Sequence, residues 1–264
     1  MKSAASDVAI ITDGAIAPIT LLDRALAAIS FAATARAALK KNSGNGTVVI
    51  MPAMDGFFAD SPAIAAPPLV EHLIDRLYEL GATSVVVGTT EGSDALWAEN
   101  RDAFMRADLL GYGYVTASGR DYDIADLSND ADASPFPSDS ALAGIPLSTI
   151  WQEAAMRIVF AANRTDAADG YALALDTLLS ALPGRDKESL YWRQRDPAAV
   201  VRTLLDATPI NVTLIDATTS SHGHGGRTRP LALETHTIIA ASDPRLADRA
   251  GALKMGLDPQ VSRL

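Results

Sequence analysis

The sequence predicts an α/β fold: a mainly parallel sheet with helices on both faces, built as one domain that could be two-lobed. Three observations predict it. Short β-branched apolar runs alternate with amphipathic, Ala- and Leu-rich stretches, the pattern of βαβ units. Several of those runs are apolar at every position, as strands covered on both faces are. The length, 264 residues, divided by roughly 150 residues per domain gives one large domain or two packed lobes.

The elements read in order. Residues 8–12, Val-Ala-Ile-Ile-Thr, form a short strand stopped by the turn pair Asp13-Gly14. Residues 21–41 read as one helix, with charges spaced to one side. Residues 47–51 are a buried strand ended by Pro52, and residues 53–67, with Gly56, Pro62 and Pro67, are a loop. Pro68 opens the next helix and Gly81 caps it. Residues 83–88 are a second buried strand, followed by a loop at 89–94 and a helix to about Leu110. Residues 111–145 read as a peripheral insertion whose segment 122–127 is an edge strand. Beyond it come a strand at 157–161, a helix at 171–182 stopped by Pro183-Gly184, and a helix at 197–206. A strand at 210–215 ends at Asp216. A strand at 236–241 and a helix at 244–255, capped by Gly256, complete the chain. The strands at 47–51, 84–87, 157–161, 212–215 and 237–241 are expected to share one sheet.

Composition restricts function. Apolar residues make up 48% and charged residues 20%, enough for a sizeable core. A net charge of −10 disfavours nucleic acid and anionic membranes as partners. There is no cysteine, which removes disulfides, thiolate nucleophiles and Cys-ligated metals or clusters. The longest apolar candidate, residues 25–35, lies between Arg24 and Arg36 and is too short to cross a bilayer. Asp7 and Asp13 interrupt any signal-peptide pattern, so a cytoplasmic protein is expected. The dinucleotide, phosphate-loop, nucleophile-elbow and His-Glu-x-x-His motifs are all absent.

Ligands of parallel sheets bind beyond the strands' carboxyl ends. That rule nominates the loops holding Asp13, Asp55, Glu91, Asp166, Asp216 and Asp243. Gathered in one cleft, these carboxylates raise one another's pKa or hold a cation; alternatively they are turn and cap residues, and Asp243-Pro244 reads as cap plus first helical residue. The run Ser220-Ser-His-Gly-His-Gly-Gly226 is the most unusual. In an extended segment His222 and His224 point to one side and can share a divalent metal, do acid–base work, or simply sit in solvent. Arg164, Arg227 and Arg229 suit a carboxylate or phosphate on a substrate, or neutralise neighbouring aspartates. Trp97, Trp151 and Trp192 read as packing residues. The expected site therefore has His222, His224 and Asp243 as catalytic groups, with His222 and His224 also able to hold a metal. Arg164, Asp166, Asp216 and Arg227 are its substrate contacts.

Several stretches together resemble a known family. Val212-Thr-Leu-Ile-Asp216 precedes a Gly-rich loop. Thr237-Ile-Ile-Ala-Ala-Ser-Asp-Pro-Arg-Leu-Ala-Asp248 and Lys254-Met-Gly-Leu-Asp-Pro259 follow. This arrangement resembles a prokaryotic family catalogued as domain of unknown function 362. Val48-Val-Ile-Met-Pro52 and Ser84-Val-Val-Val-Gly88 look like that family's first βαβ unit. The resemblance implies the α/β scaffold but no settled activity; many members carry an iron–sulfur module, for which this chain has no thiolates. Met51-Pro52-Ala53 stands where the family has Lys-Pro-Asn, Arg164-Thr165-Asp166 where it has Lys-Thr-His, and Asp176-Thr177 where it has Lys-Asn. The run from His222 replaces a Gly-Pro, while Asp243 and Asp248 match.

The expectation is a cytoplasmic enzyme acting on a small anionic metabolite in a cleft at the strand carboxyl ends. The rival is a non-catalytic small-molecule-binding or accessory protein that kept the scaffold. A divalent metal and a homo-oligomer are compatible with either; an iron–sulfur cluster, nucleic acid and a membrane are not expected.

Overall fold

The computed structural model describes residues 7–42, 44–54, 58–91, 102–184, 186–223 and 231–264. Its strands are β1 (Val8–Thr12), β2 (Thr47–Pro52), β3 (Ser84–Thr89), β4 (Asp123–Asp126), β5 (Met156–Asp166), β6 (Gly170–Tyr171), β7 (Val212–His222) and β8 (Leu231–Ala241). Its helices are α1 (Pro18–Ala28), α2 (Phe31–Lys41), α3 (Pro67–Glu79), α4 (Ala103–Leu110), α5 (Thr149–Glu153), α6 (Ala174–Leu178), α7 (Pro197–Ala207) and α8 (Pro244–Lys254). A π-helical turn spans Glu188–Arg193.

One sheet holds all the strands in the order β1-β8-β7-β5-β2-β3-β4, with β6 folded onto the end of β5. Pairs β7–β5, β5–β2, β2–β3 and β3–β4 are parallel. The β-branched runs are buried on both sides: Val48, Val49, Ile50 and Met51 are fully sealed. Their side chains alternate, as the two-residue strand period requires. Val48 and Ile50 join Leu21, Leu73 and Ile74 of α1 and α3 on one face. Val49 and Met51 join Trp151, Leu178 and Val200 of α5 to α7 on the other. The two cores are layers of one sheet.

Three differences from the sequence reading have physical causes. Residues 21–41 are two helices meeting at 67°, with Ser30 left-handed at φ 56° between them. A straight helix over these residues would be about 30 Å long. The bend returns both apolar stripes, Leu21, Leu22 and Ala25 on α1 and Phe31, Ala35 and Leu39 on α2, to one core. No single described helix is long and apolar enough to cross a membrane.

The second difference is β8. It lies in the expected sheet but runs antiparallel to both β7 and β1. Eight residues separate His222 from Leu231, and a parallel crossover needs a dozen or more, so β7 and β8 close as a hairpin. The third is β7: paired with β8 along its length, the strand expected to end at Asp216 continues to His222. The stretch at 111–145 extends the sheet through β4, as the edge-strand reading expects, and sends Phe136 and Leu142 into the second core.

Helix α8 packs onto the sheet through the glycine at its middle. A Cβ on Gly251 would stand 2.6 Å from Leu173 Cδ1 and 3.3 Å from Ile215 Cδ1, both fully buried. Gly251→Val therefore lowers stability by about 1–3 kcal/mol, read from the urea midpoint. An unchanged midpoint would show that α8 can shift away without loss.

Candidate functional site

The sheet register decides which expected site residues meet. Asp216 lies on β7, whose Ala162 partner on β5 stands two residues before Arg164. The segment after β2 bridges them: Ala63 O accepts from Arg164 Nη1 at 2.8 Å, and Ala66 N donates to Asp216 Oδ2 at 3.1 Å. Asp216 also accepts from the amide and hydroxyl of Thr218. It thus satisfies the backbone N–H of Ala66, the N-cap residue of α3. Burial pushes its carboxyl above the usual range, against those hydrogen bonds.

Arg164 is completely buried. Besides Ala63 it donates to Ala172 O at 3.1 Å and to Asp176 Oδ2 at 2.8 Å. A guanidinium fixed in this way ties β5, α6 and the loop after β2 together; as an anion anchor, its expected role, it presents no exposed surface. Asp166 forms the turn into β6, accepting from Ala168 N and Asp169 N. Asp13 accepts from Ala15 N and pairs with Arg24.

Asp243 is not part of this group. Because β8 is antiparallel, its end lies beside the start of β7: Ala241 pairs with Thr213, and His222 pairs with Leu231 nine residues farther along β7. At about 3.3 Å per residue that is roughly 30 Å. The expected shared cleft of Asp243 with His222 and Asp216 is therefore corrected: Asp243 stands at the opposite end of the β7–β8 pair from His222. It caps α8, accepting from Arg245 N at 2.8 Å, and binds the Arg245 guanidinium. That guanidinium holds its carboxyl below the usual range.

His222 is exposed at the end of the β7–β8 hairpin, where strand pairing with Leu231 carries it away from a loop folded over the cleft. His224, Arg227, Arg229, Asp55 and Trp97 lie outside the described residues. Among the described residues no group of three His, Asp or Glu side chains is placed to hold a metal ion.

A different site emerges between α7 and α8. A groove of about 550 Å³ lies there, a metabolite-sized volume. Its walls carry Arg202, Asp206, Asp243, Arg245 and Arg249, and apolar surface from Val201, Leu205 and Ile210. Asp248, only 3% exposed, also lines it. The Asp248 carboxylate accepts from Ala174 N at 2.7 Å and Leu175 N at 3.1 Å, the first-turn amides of α6. Burial nevertheless pushes its pKa up to about 7, and neighbouring Asp176 adds to the rise. Tyr171, also lining the groove, is raised by burial and by the charge of Asp248, and donates to Pro259 O.

Sequence reasoning did not place Asp248, Arg202 or Arg249 in a site. One signal for Asp248 was present. It sits with Pro244, Ala247, Gly251 and Ala252 on the buried stripe of α8, and a lone carboxylate on a small apolar stripe must find donors inside. The arginines carry no such signal, because exposed arginines on helices are ordinary.

Fold and site together define an α/β protein with a covered mixed sheet and a charged groove on one helical layer. The model of the family described as Domain of unknown function (DUF362) matches residues 48–253, and the chain belongs to that family. The match runs from β2 to near the end of α8, leaving β1, α1 and α2 before it. No curated protein matches the chain.

Proposed function

We propose that the protein is a cytoplasmic enzyme that acts on a small anionic metabolite in the groove between α7 and α8, with Asp248 as the proton-holding group. One observation carries this reading: a carboxyl group buried at a metabolite-sized groove, pushed to about 7, can be protonated or ionised near neutrality. The groove replaces the strand-end cleft as the proposed location, since Arg164 and Asp216 are occupied in holding the fold together. Without cysteine the chain offers no thiolates for an iron–sulfur cluster, so no step is assigned to one. The net charge of −10 argues against nucleic acid or an anionic membrane as partner.

The test is a thermal-shift screen of small carboxylates and phosphate esters, with products of each hit followed by mass spectrometry. The expected result is a hit that is converted, with Asp248→Asn lowering turnover by roughly 10²–10⁴ while binding survives. Hits that bind and emerge unchanged would favour a non-catalytic small-molecule-binding protein.

A further inference from the structure

We propose that the ligand of the α7–α8 groove is an amphipathic carboxylate, its anionic head held by Arg202 and Arg249 and its apolar body lying on Val201, Leu205 and Ile210. This rests on the groove being the site proposed above, and it names the ligand class.

The charge pattern selects the head. Of the three arginines that line the groove, Arg245 is bound by Asp243 at 2.6 Å. Arg202 on α7 and Arg249 on α8 are exposed and have no ion pair among the described residues. They sit on the two helices that form the walls, so a head between the helices meets a guanidinium from each. Planar guanidinium groups match carboxylate oxygens. Asp206 on the same wall offsets part of the positive charge, which suits a single carboxylate better than a polyanion. The lining selects the body. Leu175, Val201, Leu205, Pro209 and Ile210 give the groove an apolar stretch, and a ligand that is all charge would leave that surface against water. Sugar phosphates and inorganic anions therefore fit less well than a carboxylate carrying an aromatic or branched aliphatic group.

Isothermal titration separates these features with four probes: phenylacetate, phenylacetamide, acetate and phenyl phosphate. Phenylacetate is expected to bind. The neutral amide should bind at least about tenfold more weakly, since a charge-assisted hydrogen bond of roughly 1.5–3 kcal/mol is lost. Acetate should bind more weakly than phenylacetate. Arg202→Gln and Arg249→Gln should each weaken phenylacetate by about tenfold or more without moving the melting temperature, and Asp248→Asn should leave its affinity nearly unchanged. Four results would overturn the assignment: equal affinity for acid and amide, acetate matching phenylacetate, phenyl phosphate binding more tightly than phenylacetate, or no phenylacetate binding at about 1 mM. Any of these, with another ligand still turned over in an Asp248-dependent way, would remove the ligand class and leave the function. The acid preference without any Asp248-dependent turnover would keep the ligand class and remove the enzyme.

Discussion

Arg164→Met is expected to destabilise the protein by about 3–5 kcal/mol, the size of effect seen when one partner of a buried ion pair is removed. Arg164 has no exposed surface, and Asp176 is almost as well sealed. Removing the guanidinium leaves the Asp176 carboxylate in a low-dielectric pocket with its 2.8 Å partner gone. It also leaves the carbonyls of Ala63 and Ala172 without the donors that Arg164 gives them. The control is the double variant Arg164→Met with Asp176→Leu. With both charges gone the desolvation penalty goes as well, so the double variant should be more stable than Arg164→Met alone. Equilibrium urea unfolding reads both. A single-variant loss below about 1 kcal/mol would mean that the cluster is wet or that Asp176 finds another donor, contrary to its burial. Lysine cannot substitute, because its single ammonium cannot reach two carbonyls and a carboxylate in the planar fork of a guanidinium.

How much was legible in the sequence follows from the range of the forces involved. Strands β2, β3 and the first half of β5 announce themselves because burial on both faces requires apolar residues at the sealed positions 48–51, 85–87 and 158–162. The caps were legible for the same local reason. Gly81, at φ 103°, follows α3, and Asp243 accepts from Arg245 N at the start of α8. The direction of β8 was harder to see. The run Thr237-Ile-Ile-Ala-Ala241 looks alike in either direction, and only the shortness of the connection to β7 makes it antiparallel. That one reversal separates Asp243 from His222 and dissolves the expected cleft. The break at Ser30 carries neither Gly nor Pro, because it arises from fitting two apolar stripes onto one core. The charge of Arg164 marks it in the sequence, but its burial depends on Ala63, Ala172 and Asp176, which sequence spacing does not bring together. The groove is least legible of all. Val201 and Arg202 come from α7 and Arg245 and Asp248 from α8, and nothing local records that these helices lie side by side.

The stability of the protein should fall as pH rises from about 4 to 7, and Asp248→Asn should remove a large share of that slope. The folded carboxyl, pushed to about 7 by burial, binds its proton more tightly than the unfolded one at 3.8. Where the folded state binds more protons, raising the pH favours unfolding. The contribution of Asp248 is thus fully present below 3.8 and lost progressively as pH passes through about 7. About three pKa units correspond to about 4 kcal/mol across that window. Asp216, also raised by burial, adds a slope of the same sign. Asp23 and Asp243, both lowered, act the other way, and their stabilisation is lost as pH falls below the ordinary carboxylate range. The difference between the wild type and Asp248→Asn isolates the one group, because the other three titrate in both proteins. Asparagine is the apt replacement. Like the protonated acid it is neutral, and its one carbonyl oxygen accepts from one of the two first-turn amides of α6. The hydrogen bond to the other is lost at every pH, which shifts the variant's curve without changing its slope. The offset between variant and wild type should therefore be constant below about pH 4, then move in the variant's favour by several kcal/mol as pH rises to about 7. Urea midpoints at about pH 4, 5.5 and 8 read the divergence. Parallel curves for the two proteins would place the Asp248 pKa at its ordinary value, with the two α6 amides holding the carboxylate ionised in spite of its burial.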